Sequence, residues 1–125
     1  MGAEENRQTV ERLWQLTEKQ DWDAAGELLH DEFVQEWPQS GERIRGRENS
    51  MAINKNYPGF PAATVRRTLS GGDIVTSEVI LDYGGKVYHG VSIFEFMDGK
   101  IVSETDFFAE PFEAPAWRSQ WVEQT

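Results

Sequence analysis

Apolar positions early in the chain recur every three or four residues. In ENRQTVERLWQLTEKQ, Val10, Leu13, Trp14 and Thr17 share one side with charged residues between them, the period of an amphipathic helix. Trp22, Ala25, Leu28 and Leu29 repeat that spacing in a shorter helix that Asp21 can cap. DEFVQEWP then becomes strand-like and stops at Pro38. QSGERIRGREN reads as a polar loop, and a third helix is predicted from Arg47 to Tyr57, ended by YPGFP.

The period then changes. AATVRRTL, DIVTSEVILDY, KVYHGVSIFEF and KIVSETDFF are rich in β-branched and aromatic residues and are separated by Gly-Gly, Gly-Gly and Asp-Gly turns, which predicts an antiparallel meander. EAPAWRSQWVEQT closes the chain as a short helix, with Pro115 in its first turn and Trp117 and Trp121 on one face. Helices first and a sheet afterwards predict an α+β fold, with helices on one face of a curved antiparallel sheet.

Side chains of a strand alternate between faces, so the turns decide what points inward. The Gly84-Gly85 turn pairs Tyr83 with Lys86. Counting on places Val75, Val79 and Leu81 with Phe94, Ser92, Gly90 and Tyr88 on the core side. Thr76, Glu78, Ile80, His89 and Glu95 fall on the other face, suited to solvent or a subunit contact. The next turn, FMDGK, allows two readings. A two-residue Asp98-Gly99 turn directs Ile101, Ser103, Thr105 and Phe107 to the core and Glu104 and Asp106 outward. A three-residue loop bulged at Gly99 reverses this, so that Val102, Glu104, Asp106 and Phe108 line the inside.

Composition narrows the partners. A chain of 125 residues fits one domain over 1–125, and a net charge of −10 repels phosphate backbones and argues against nucleic acid. With no cysteine, neither a disulfide framework nor a thiolate metal site is possible. His30 and His89 lie far apart and match no metal-ligand spacing, so no metal or other cofactor is expected. No apolar run reaches membrane-spanning length, and MGAEENRQ is too polar for a signal peptide, which makes the cytoplasm the expected location and excludes a membrane partner.

The helices, the VQEWP strand, the four-strand meander and FEFMDGKIVSETDFF together resemble the nuclear transport factor 2-like superfamily, in particular its SnoaL-like members. The resemblance covers nearly the whole chain. It implies a cone-shaped barrel in which the sheet and the N-terminal helices enclose an apolar pocket, and a homodimer packed through the sheet. It also implies activities of the isomerase, polyketide cyclase or hydrolase kind. The last strand is similar to that of limonene-epoxide hydrolase, where a Gly-Lys-Ile stretch leads to a pocket Asp followed by two aromatics; the matching residue is Asp106, before Phe107 and Phe108. That match favours the inward reading. The hydrolase's arginine and second acid fall at Val79 and Leu81, and its water-holding tyrosine and asparagine at Val34 and Glu36, so that machinery does not carry over. Measured against ketosteroid isomerase, the base position before Pro38 is Trp37, with Glu36 beside it, and the oxyanion donors fall at Leu13 and Ser92.

These readings define a candidate site. An inward Asp106 beside Phe94 and Phe108 would be a general acid–base, and Glu104, two residues earlier on the same face, could share its proton. An outward Asp106 would be a salt bridge to Arg66, Arg67 or Arg118. Glu36 is a third acid candidate, although alternation lets only Glu36 or Trp37 point inward unless the chain bends at Pro38. Tyr88, Trp37, Trp14, Ser92, Phe94 and Phe108 are the candidate ligand contacts, with Tyr88 and Ser92 as donors. Trp14, Trp117 and Trp121 also suit core or lid packing. His89 is expected at the surface or a dimer interface and His30 at a helix C-terminus. The expected partner is a small apolar organic molecule.

Overall fold

The computed structural model describes residues 2–125. Helix α1 (Ala3–Glu18) buries Val10, Leu13 and Leu16, while Trp14 and Thr17 lie at the edge of that stripe. Gln20, at φ 56°, ends it in the left-handed region. The Asp21 carboxylate then accepts a hydrogen bond from the Ala24 N–H at 3.3 Å and caps α2 (Trp22–Glu27). Strand β1 (Leu29–Trp37) starts two residues before the expected DEF stretch.

The expected polar loop contains a four-residue strand, Glu42–Arg45, which forms β2 and pairs antiparallel with β1, Gln35 opposite Ile44 and Trp37 opposite Glu42. Only Ile44 of this strand is buried; its charged neighbours suit an edge strand and hide the pattern. Helix α3 (Arg47–Lys55) follows. The meander is β3 (Ala62–Gly71), β4 (Ile74–Asp82), β5 (Val87–Met97) and β6 (Lys100–Ala109). Sheet order is β2-β1-β6-β5-β4-β3, with β1 parallel to β6. The α+β order and the antiparallel meander are as predicted. The curved sheet is mixed and open rather than closed into a barrel, because β1 arrives from the helices running in the same direction as the last meander strand and extends that edge in parallel.

The core lies between the sheet and the first two helices. It contains Val10, Leu13, Leu16, Trp22, Ala25, Leu29, Phe33, Val75, Phe94, Phe96 and Ile101. Fully burying a side chain such as Phe94 contributes about 2–3 kcal/mol. The pairings Val75–Phe94, Ser77–Ser92, Val79–Gly90 and Leu81–Tyr88 match the faces that the Gly84-Gly85 turn predicts.

Strand β6 resolves the two turn readings by combining them. Asp98 and Gly99 both have positive φ, 54° and 78°, as a two-residue hairpin turn requires, and Met97 pairs with Lys100. Three residues later the ladder slips: Phe96 pairs with Ile101, but Glu95 pairs with Ser103, which leaves Val102 as an extra residue. Ile101 and Asp106 are 0% and 3% exposed. Five positions apart, they could not both face inward in an unbroken strand. The bulge lies at Val102 rather than Gly99, and it turns Glu104, Asp106 and Phe108 to the inner face.

The C-terminal segment departs from expectation. Ala116–Trp121 is a 3₁₀ helix with Pro115 just before it, and Trp117 and Trp121 are 73% and 71% exposed, so they are neither core nor lid in this chain. No helix of the described residues is long and apolar enough to cross a membrane.

Candidate functional site

Rungs of the sheet build the site. On the inner face Phe94 pairs with Glu104 and Ser92 with Asp106, while Gln35 of β1 stands opposite Glu104 from the other side. Residues two apart on one face stand about 7 Å apart along the backbone, so the two carboxyls are neighbours. The strands, α1, α3 and the segment after it enclose a cavity of about 120 Å³. Its walls include Leu13, Trp14, Trp37, Tyr57, Phe94 and Phe108, with Ser92, Glu104 and Asp106 as polar points.

Three donors converge on the buried Asp106. Ser92 Oγ donates to Oδ1 at 2.6 Å, and Gln35 Nε2 and Trp37 Nε1 donate to Oδ2 at 2.7 and 2.9 Å. Both Asp106 oxygens thus act as acceptors. Gln35 Nε2 also donates to Glu104 Oε2 at 3.3 Å, and Ser50 Oγ donates to Gln35 Oε1 at 2.7 Å. The Ser50 contact fixes the amide so that its NH₂ faces the two acids. The Glu104 carboxyl is pushed well above the usual carboxylate range, first by burial, then by the negative charge of Asp106 and by the hydrogen bond its acid form gives to Asp106. One site therefore holds a proton donor next to an acceptor.

The remaining candidates separate by position. Trp37 points inward, which by alternation turns Glu36 outward to an ion pair with Arg43 at 3.7 Å; Pro38 does not bend the strand enough to bring both inside. Tyr88 lies on the inner face but beyond the cavity wall. Its hydroxyl donates to Glu110 Oε1 at 2.9 Å, an oxygen that Lys86 Nζ also holds at 3.1 Å. The phenols that do line the cavity are Tyr57 and Tyr83, whose hydroxyls lie 2.9 Å apart. Burial and the Tyr57 hydroxyl raise the Tyr83 pKa. Trp14 packs edge-on against Phe94 at 6.3 Å and donates from Nε1 to Ser77 Oγ at 3.0 Å. Arg66 and Arg67, expected partners of an outward Asp106, both meet Glu78 instead, at 3.8 and 2.7 Å.

Gln35 and Ser50 were not singled out from sequence. For Gln35 a signal exists: it lies between Phe33 and Trp37 at the period of a strand, so an inward Trp37 makes Gln35 inward as well. Ser50 offers no comparable cue. Among the described residues, no three His, Asp or Glu side chains are grouped to hold a metal ion.

Residues 10–104 match the family model of the SnoaL-like domain. The chain belongs to the SnoaL-like family. No curated protein matches its sequence. Among solved structures, this SnoaL-like protein is similar to an NTF-2 like protein of unknown function from Burkholderia xenovorans LB400, at 42% identity and TM-score 0.87, covering 98% of this chain and 96% of that one. It is also similar to a proposed ketosteroid isomerase from Kribbella flavida DSM 17836, at 32% identity and TM-score 0.93, covering 98% and 91%. An LEH-like epoxide hydrolase from M. tuberculosis shares the fold at 24% identity and TM-score 0.72, covering 85% and 84%.

Proposed function

We propose that this SnoaL-like protein carries out acid–base chemistry on a small, ring-sized organic molecule without metal or cofactor. The observation that carries the reading is the Glu104–Asp106 pair, held by one amide in an otherwise largely apolar cavity. Glu104 is the acid that delivers a proton to a substrate oxygen. Asp106 is the base that takes one from carbon or from an attacking water, and Gln35, Trp37 and Ser92 hold it in place. At about 120 Å³ the cavity is somewhat smaller than the roughly 150 Å³ one that holds benzene, so it suits a compact molecule of no more than one small ring. Isomerisation, cyclisation and hydrolysis all fit such a proton relay.

The test is turnover of a panel of cyclic ketones, lactones and epoxides. Asp106→Asn and Glu104→Gln are each expected to lower kcat by about 10²–10⁴-fold, with the far-UV spectrum unchanged. Full activity in the Asp106 variant refutes the assignment. A second reading, binding without turnover, draws on one observation: Ser92, Gln35 and Trp37 all spend a donor on Asp106, and together they offer no free pair for an oxyanion. Saturable binding of a panel member with no turnover supports that second reading.

We also propose a homodimer through the outer sheet face, where Leu69, Ile74, Val91 and Phe107 are exposed. A monomeric mass by native mass spectrometry at micromolar concentration counts against it.

A further inference from the structure

The cavity around Glu104 and Asp106 has one electrical character. Trp14, Trp37, Tyr57, Tyr83, Phe94 and Phe108 line it, and the face of an aromatic ring carries the negative side of its quadrupole. Among the described residues, no lysine, arginine or histidine lines it, and its titratable groups besides the two acids are the phenols of Tyr57 and Tyr83. The side chains that hydrogen-bond Asp106, namely Ser92, Gln35 and Trp37, are neutral. Of the cations on the surrounding elements, Arg43 pairs with Glu36, Arg47 with Asp31, Lys55 with Asp23 and Lys86 with Glu110, and Lys100 meets the Glu27 carbonyl. A carboxylate withdrawn from water with no opposite charge nearby is costly, and hydrogen bonds offset only part of that cost.

We propose that the cavity is a binding site for a compact organic cation, an alkylammonium group whose charge meets Asp106 and whose methyl groups pack on the aromatic walls. This inference rests on the cavity described above and not on turnover. A branched ammonium supplies the missing charge and apolar surface together, which neither a metal ion nor a neutral ring does. The walls repel an anion. A bound cation also favours the charged form of Glu104, so its carboxyl O–H gives its proton to the buffer as the ammonium enters.

Three probes of similar branched shape test this on the full chain by titration calorimetry near neutral pH: tetramethylammonium, tert-butanol and pivalate. Tetramethylammonium is expected to bind at least about tenfold tighter than tert-butanol, a margin that one or two cation–π contacts and a carboxylate account for. Pivalate is expected to show no binding. Asp106→Asn should erase the preference while leaving tert-butanol affinity within about twofold, because the amide keeps the shape and loses the charge. Glu104→Gln should keep the preference and abolish proton release, read from the dependence of the binding heat on buffer ionisation enthalpy. Equal affinity for tetramethylammonium and tert-butanol overturns the proposal. So does a preference that survives Asp106→Asn, since it places the cation on the acidic surface. Turnover lost in Asp106→Asn with no charge preference among the probes overturns this inference alone and leaves the acid–base reading standing. Cation binding with no turnover of the panel supports this inference and removes the other.

Discussion

Replacing Glu104 by glutamine removes a group that folds as an acid and unfolds as an ordinary carboxylate. Burial and the neighbouring Asp106 raise its native pKa well above 4.5, its reference value, while the unfolded chain returns it to that value. Between the two, the native state binds more protons than the unfolded one, so stability falls as pH rises through this window. The contribution is fully present below about 4.5 and gone above the native pKa. Across the window the slope is at most about 1.4 kcal/mol per pH unit. Glutamine keeps the shape and the capacity to accept from Gln35 and has no proton to lose. Urea unfolding of both proteins at half-unit steps from pH 4.5 to 8.5 measures the difference. The wild-type curve should fall relative to the Glu104→Gln curve with rising pH, leaving the variant the more stable at the alkaline end. Parallel curves would show that Glu104 titrates alike in both states and would refute the account of the acid pair.

Gln35→Leu removes the donor to Asp106 and Glu104 and leaves the Ser50 hydroxyl without its acceptor; a loss of about 1–3 kcal/mol in chemical denaturation is expected, and unchanged stability counts against the buried network. Deleting Val102 should iron out the bulge and keep Glu104 and Asp106 inward, because Ser103 already pairs outward with Glu95. Deleting Thr105, by contrast, turns Asp106 outward and strands the donors of Ser92, Gln35 and Trp37, at about 1–3 kcal/mol each. Equal midpoints for the two deletions in urea would contradict this register.

Much of the fold of this SnoaL-like protein is encoded by local spacing. The helical stripe at Val10, Leu13 and Trp14 and the Gly84-Gly85 turn are encoded by residues close together, so the helix and the faces of β4 and β5 could be assigned from spacing alone. The same rule, applied to Trp37 against Glu36, left one of two outcomes, and only packing chose the tryptophan. Strand β2 was missed because an edge strand with one buried residue has no alternation to detect. The Trp117–Trp121 face resembles a buried helix in spacing, yet the chain offers it nothing to pack against. Tyr88 lies on the expected face yet outside the cavity: parity tells which way a side chain points, and the curve of the sheet decides whether the cavity reaches it.

The sequence by itself determined the α+β order, the tight Asp98-Gly99 turn and the presence of two acids at an interval that puts them on one face. Which face that is, only the tertiary structure decided. The slip at Val102 has no local signature, because it satisfies two distant demands at once: Ile101 must fill the core beneath the helices, and Asp106 must meet donors supplied by β1 and β5. A strand of fixed period two cannot meet both, and one extra residue absorbs the mismatch.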